Sequence, residues 1–487
     1  MTPSTETHTE QDNHNILRNA GTLLIAKIFT TGLGLVLVLF LARHLGVERF
    51  GVYTLAYYFA SSFIILGDIG LSNFLTREIA RARHKADDIL GRIIPLKIAL
   101  NLWAYGLGVG ALTLLGYPDT TQQVVLVTLT AQLFFGAFIQ TFHHVFEGFE
   151  QMQFVAMLEM AKKAIELILC VVLLSMGYDL IHMMLGLAVS EVGFALAGWL
   201  TAQKWLRLSI HPVIDIYRWG QPIRDAIPYG LILVFFEVMT STDTIMLAKF
   251  RTEEEVGWYG AGIRVTTVLS YVPLMVATAM FPTAARIMAS FESSKDILVG
   301  VFRVMALIAA PIGVGLTVTA PEVIHLLYAE AYAPASEPLR LLGWSIAVYC
   351  IGIPAVLFLS ATNRQRYATV VAGGAAAVNA AINFFLIPAW GMMGAATATL
   401  MAQIIVAGCC YGKLRSIFGG LSLLKTLSKA LFAASGMGAA VYALSGLPIV
   451  LTVLAGVVVY VLLLWLVRAI HRDDLAYLQK FSIRRKD

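Results

Sequence analysis

Ionisable side chains set inside apolar runs have the greatest capacity for chemistry in this chain. Each costs about 2.5–3.5 kcal/mol at the centre of a bilayer unless it is paired or hydrated, so each has to face a bundle interior. Lys27, Arg264 and Arg303 are cations in such runs, and neither Lys27 nor Arg264 has an acid three or four residues away. A cation so placed needs a water-filled cavity, an acid on another helix, or an anionic ligand. Glu191 in the sixth apolar run and Glu237 and Asp243 in the seventh are carboxylates that could take up H+ or Na+ and couple transport to an ion gradient, or serve as structural hydrogen-bond partners.

Charge pairing along one helix offers a blander reading for others. Glu159 with Lys163, and Lys162 with Glu166, are four residues apart on the fifth run, so they can neutralise each other or act in a relay or on substrate. Asp68, Arg77 and Glu78 are expected to close the inner end of the second run. His143 and His144 with Glu147, the first and last sharing a helix face, suit a metal site, although a helix end at headgroup level is the expected use.

Enzyme motifs are missing. Gly412-Lys413 is followed by Leu414, so there is no phosphate loop for ATP, and there is no Asp-x-Asp, G-x-S-x-G or H-E-x-x-H. Gly106, Gly108 and Gly110 sit in a helical run where close helix packing is the expected use. Cys170, Cys350, Cys409 and Cys410 all lie in apolar runs and read as small core residues. No catalytic residue, metal ligand or resident cofactor is assigned, with Na+ or H+ as the candidate coupling ion.

The elements that position these groups follow from composition. Of 487 residues, 58% are hydrophobic and 13% charged, with a mean hydropathy of +0.76, whereas soluble domains are about a quarter charged. About fourteen spans of roughly 21 residues, from 18–42 to 448–469, would use about 60% of the chain, which matches its hydrophobic fraction. The expectation is an all-α, polytopic transmembrane helical bundle of about 14 helices. A multi-domain soluble enzyme is excluded, and nucleic acid is not the implied partner.

Lys and Arg placement orients it. With the N-terminus inside, 24 of the 35 basic residues fall in inner segments and five in outer ones, the bias of cytoplasmic loops. Both termini are therefore expected in the cytoplasm of a plasma (inner) membrane protein. Residues 1–15 lack signal-peptide features and read as a disordered tail. Leu41–Tyr53 (LARHLGVERFGVY) and Leu247–Tyr259 (LAKFRTEEEVGWY) align at an ungapped offset of 206, so the seventh span repeats the first. This gives an N-lobe at 16–204, a linker at 205–225, a C-lobe at 226–413, two appended spans at 414–470 and a tail at 471–487.

The stretch Asn19–Arg83 resembles the polysaccharide biosynthesis or oligosaccharide flippase family. The carriers are the LARHLGVERFGVY loop, the turn Gly67–Leu71 and the basic segment after it. Asp243–Leu247 (DTIML), Asn379–Trp390 (NAAINFFLIPAW) and Gly394–Ala396 resemble its later blocks. The superfamily also holds lipid II flippases and multidrug-and-toxin extruders. The resemblance implies two six-helix lobes around a V-shaped central cavity, flipping a polyprenyl-pyrophosphate-linked oligosaccharide from inner to outer leaflet by alternating access. Cations from the first and eighth helices, where Lys27 and Arg264 stand, are implied as cavity groups. Glycosyltransferases and a polymerase of the same pathway are the implied partners besides the bilayer. A cation-coupled drug antiporter of the same fold is the runner-up, although Lys27, Arg264 and Arg303 weigh against it. A membrane glycan polymerase or ligase would need a larger outer loop than Ala320–Pro338.

Overall fold

Ile25–Asp68 is a 44-residue apolar stretch, twice the roughly 20 residues that cross a bilayer, so it has to break within its own length. It does so at Gly46, whose φ of 75° and ψ of 174° suit a residue without a Cβ. Helix α1 (Ser4–Asp68) is thereby divided into arms 4–45 and 47–68. Gly46 aligns with Thr252 in the internal repeat, and Thr252 lies in the break between the eighth and ninth helices.

The computed structural model describes residues 4–287, 291–419 and 423–469, so the expected tail 471–487 lies outside the described residues. After α1 come α2 (Leu71–Arg81), α3 (Ala86–Leu115), α4 (Asp119–Thr130), α5 (Ala137–Gly148), α6 (Met152–Ser175), α7 (Leu180–Leu206) and α8 (Gly220–Phe250). Then follow α9 (Glu253–Ile287), α10 (Phe291–Leu327), α11 (Ser336–Ala361), α12 (Gln365–Trp390), α13 (Met392–Phe418), α14 (Leu424–Ala443) and α15 (Ile449–Leu466). No strand occurs among the described residues. Eleven helical stretches among them are long and apolar enough to cross a membrane. With α1 counted as two arms, and with α6 and α14 of 24 and 20 residues, every one of the fourteen expected segments has a helix. The short α2 is additional, because its polar residues hid it from a search for apolar runs.

The helices form two compact units, Met1–Ser241 and Thr242–Asp487. In the first, α1 packs on α3, α4 and α6, and α2 on α5. Leu75, Ile79, Leu90, Phe142 and Phe146 are fully buried there. In the second, α11 packs on α10 and α13, and α14 on α10 and α15. Small residues bring these last helices together: a Cβ on Gly456 would stand 2.7 Å from Val441 Cγ2, and one on Gly436 2.4 Å from Leu463 Cδ1. Along α15 the buried residues Thr452, Gly456, Tyr460 and Leu464 recur every four positions, while Val450, Leu454, Val458, Leu462 and Trp465 are exposed. That much exposed apolar surface is stable only against lipid, and this is a multi-pass membrane protein.

Two glycines fix the start of α2. Ile69 and Gly70 both have positive φ, 44° and 84°, which turns the chain sharply out of α1. The turn lies backbone to backbone on α8: a Cβ on Gly230 would stand 2.4 Å from the Ile69 carbonyl carbon and oxygen, and one on Gly70 2.6 Å from Gly230 N. Gly230→Ala is expected to cost about 1–3 kcal/mol, since backbone cannot give way as a side chain can. The matched control is Gly106→Ala, because a Cβ on Gly106 meets nothing within 4 Å, and its melting temperature in detergent should hold or rise. Of the three glycines expected to allow close packing in α3, only Gly108 does so, with Leu129 Cδ2 2.8 Å from a Cβ placed on it; Gly106 and Gly110 have open space.

Candidate functional site

Both arms of α1 together with α4 to α7 enclose a cavity of ≈ 380 Å3 within the first unit. Its charged lining is Lys27, Glu159, Lys162, Lys163, Glu166 and Glu191. Lys162 reaches across to α7, with Nζ 2.7 Å from Glu191 Oε1 and 2.8 Å from Oε2, and Glu191 is buried. Lys163 Nζ lies 2.6 Å from Glu166 Oε2, and Lys162 Nζ 3.8 Å from Glu166 Oε1. Glu159 Oε1 faces His143 Nδ1 on α5 at 3.7 Å and lies within electrostatic reach of Lys27. The expected i,i+4 pairing is thus redistributed: Lys163 closes on the acid one turn ahead of it and not on Glu159, while Lys162 makes its shortest contact on another helix. Spacing along α6 alone could not reveal Glu191 as its partner.

A π-helical segment, Ala131–Gly136, joins α4 to α5. Such wide turns recur at functional sites, since the extra residue re-aims the side chains around it. Here Gln132 and Gly136 line the cavity, and Gln140 follows one turn on. Nothing in the residue types announced the segment. His143 Nε2 is buried with no hydrogen-bond partner, whereas Glu147 pairs with His144, whose Nδ1 is 2.8 Å from Glu147 Oε2. His143 and Glu147, weighed together above, therefore point to different partners.

Asp68 does not join Arg77 and Glu78. Its Oδ1 lies 2.8 Å from Lys97 Nζ on α3 and accepts from Ser72 Oγ at 2.6 Å. Lys97 Nζ donates to Ser72 Oγ at 2.8 Å, which completes a triangle at the base of α2. Arg77 and Arg81 both reach Glu78 Oε1, at 3.2 and 3.5 Å, on α2 itself. Glu237 Oε1 accepts from Ser241 Oγ at 2.6 Å and from Ser61 Oγ on the second arm of α1.

The second unit holds a buried polar cluster around Asp243, which is 2% exposed. Tyr259 Oη donates to Asp243 Oδ2 at 2.9 Å, Asn383 Nδ2 to Oδ1 at 2.5 Å, and Thr399 Oγ1 to Oδ2. Asn383 Nδ2 also donates to Asn379 Oδ1 at 3.1 Å. Helices α8, α9 and α13 each contribute one group to this cluster and α12 contributes two, Asn379 and Asn383, and all of it is oxygen and amide chemistry. Arg264 on α9 and Arg303 on α10 are half-buried in this same unit, and Arg264 lies within electrostatic reach of Tyr328.

The chain is similar to known proteins in sequence and in fold. The chain is 22% identical over 398 residues to the probable low-salt glycan biosynthesis flippase Agl15 of Haloferax volcanii, which covers 80% of this chain and 81% of that protein. It is 23% identical over 356 residues to the succinoglycan biosynthesis transport protein ExoT of Rhizobium meliloti, covering 71% and 68% respectively. The solved lipid II flippase MurJ, in its inward closed conformation, matches with a TM-score of 0.76 at 16% identity, over 90% of this chain and 97% of its own, a likeness of fold. Residues 16–288 match the family described as "Polysaccharide biosynthesis protein". With more than half of its length matched, the chain belongs to the polysaccharide biosynthesis protein family.

Proposed function

We propose that this protein is a flippase that moves a polyprenyl-pyrophosphate-linked oligosaccharide from the inner to the outer leaflet of the plasma membrane by alternating access. The observation that carries the reading is a polar, ion-paired cavity enclosed by membrane-spanning helices, in a chain whose relatives bear the names of glycan flippase and polysaccharide transport proteins. Hydrocarbon excludes the charged, hydroxylated head group, while the polyprenyl tail can stay in lipid. Arg264 and Arg303 supply the cations that replace the hydration of the pyrophosphate, and Lys27 meets the head group from the cavity of the first unit. Both termini lie in the cytoplasm, in keeping with the Lys and Arg bias, and glycosyltransferases and a polymerase act before and after this step.

Asp243 is the coupling carboxylate in this reading. Carboxylate, hydroxyl and amide oxygens are hard donors that fit Na+ or a proton, and the buried Asn383 Oδ1 and Thr244 Oγ1 have no hydrogen-bond partner. A drug antiporter of the same fold would need acids to dominate its cavity, and the three glutamates here meet three lysines.

The test is the fate of the carrier in cells lacking the protein. Complete polyprenyl-linked oligosaccharide should accumulate, shielded from an impermeant sugar-reactive probe. Carriers reachable from outside but left unpolymerised would instead indicate a polymerase or ligase, and no carrier phenotype would favour the antiporter. Lys27→Gln and Arg264→Gln should each lower export about tenfold at unchanged membrane abundance, the value of one charge-assisted hydrogen bond, and Lys27→Arg should be tolerated.

A further inference from the structure

We infer that the cavity of the first unit is a subsite for uncharged, hydroxyl-rich sugar, separate from the cations that hold pyrophosphate; the inference rests on the flippase reading above. Its charges cancel. Among the described residues, Lys27, Lys162 and Lys163 face Glu159, Glu166 and Glu191 in one lining. The lysines are already engaged, Lys162 on Glu191 at 2.7 Å, Lys163 on Glu166 at 2.6 Å and Lys27 within electrostatic reach of Glu159. A pyrophosphate brought here would have to break these pairs and leave carboxylates buried without a counter-charge, which is strongly unfavourable. A neutral polyol requires no such break. Its hydroxyls donate and accept alike, and an ammonium has three donors and a carboxylate about four acceptor positions, more than a single ion pair uses.

The uncharged lining fits the same ligand. Gln132 and Gln140, aimed by the π-helical segment and the turn after it, offer amides that can bind two hydroxyls at once. Tyr53 and Tyr57, one turn apart on the second arm of α1, add aromatic rings to the wall, and such rings stack on the apolar faces of sugar rings. The buried His143 Nε2, without a hydrogen-bond partner, is a further group for a ligand hydroxyl to satisfy. A volume of ≈ 380 Å3 lies within the range of small-molecule sites, about 300–1,000 Å3. An acidic sugar is disfavoured as pyrophosphate is, because its carboxylate would have to draw Lys162 from Glu191 or Lys163 from Glu166.

Carbodiimide labelling of the purified full-length protein in lipid nanodiscs tests this. Glu159 is 40% exposed at its side chain and lines the cavity, so it should react. A neutral oligosaccharide released by mild acid from the host's own surface polysaccharide should slow labelling of Glu159, read by mass spectrometry. Labelling of Glu330, 86% exposed in the second unit, should not change, and inorganic pyrophosphate should not protect Glu159. The pair of changes Gln132→Ala and Gln140→Ala should weaken protection about tenfold, the worth of two neutral hydrogen bonds. Protection by pyrophosphate in place of oligosaccharide, or by neither, overturns the subsite. If protection fails while cells lacking the protein still accumulate inner-leaflet carrier, only the subsite falls. Protection without any carrier phenotype would retain a sugar site and remove the flippase reading.

Discussion

Lys97→Met is expected to destabilise the protein by about 3–5 kcal/mol, the cost of removing one partner from a buried ion pair, while Lys97→Met combined with Asp68→Asn should recover most of that loss. The Lys97 side chain is 5% exposed and that of Asp68 14%, so solvent screens the pair little. After Lys97→Met, Asp68 would keep its bonds from Ser72 Oγ and Ser72 N, 2.6 and 3.3 Å, but its charge would stand unbalanced at the end of a membrane span. Asn at position 68 removes the charge and still accepts from Ser72. Methionine matches the aliphatic stem of lysine, so packing changes little in either variant. Thermal unfolding followed by size exclusion in detergent reads the outcome. Equal losses in the single and double variants would mean that Lys97 acts through its stem alone.

The sequence bears on this triangle unevenly, and so on the rest of the molecule. Apolar runs of bilayer length revealed fourteen segments because the bilayer imposes one length on every helix, whatever its neighbours. Gly46 could be placed from the excess length of its run and from its alignment with Thr252. The partners of charged groups were a different matter. Periodicity reports which residues share a face of one helix, so it offered Lys162 with Glu166; the geometry adds Glu191, twenty-nine positions along the chain and on α7. Nothing in the spacing of residues along α3 ties Lys97 to Asp68, which reaches it beside the turn at Ile69 and Gly70. The π-helical segment leaves no trace in composition, because AQLFFG would serve equally well in an α-helix. Around Asp243, the residues Asn379 and Asn383 were visible only as part of a family-like block. Their spacing of four puts both amides on one face of α12, and two amides facing inward from an apolar helix are the signal that could have tied them to a carboxylate elsewhere in the chain.

Asp243→Asn is expected to abolish ion coupling while leaving the fold in place. Asparagine is nearly isosteric and can still accept from Tyr259 Oη, 2.9 Å from Asp243 Oδ2, but the cluster loses its only formal charge. If Na+ is the coupling ion, that carboxylate is its counter-charge in a region shut off from water, and removing one member of a buried charge pair costs about 3–5 kcal/mol. Ion affinity should therefore fall by a factor on the order of a hundred or more. The measurement is the melting temperature in NaCl against choline chloride at equal ionic strength. Na+ bound to the folded state alone raises the melting temperature of the unmodified protein with concentration, and Asp243→Asn should be indifferent to it. Thr399→Val, which removes one oxygen and keeps the shape, should need about 10–100 times more Na+ for the same rise, as loss of an ordering partner does in metal sites. Tyr259→Phe removes only a donor to the carboxylate and should shift the requirement less. A proton would produce a different pattern, with no response to Na+ and a transport rate that follows the pH difference across the membrane. An Asp243→Asn protein that keeps its Na+ response and its transport rate would leave the carboxylate as a structural hub joining α8, α9, α12 and α13.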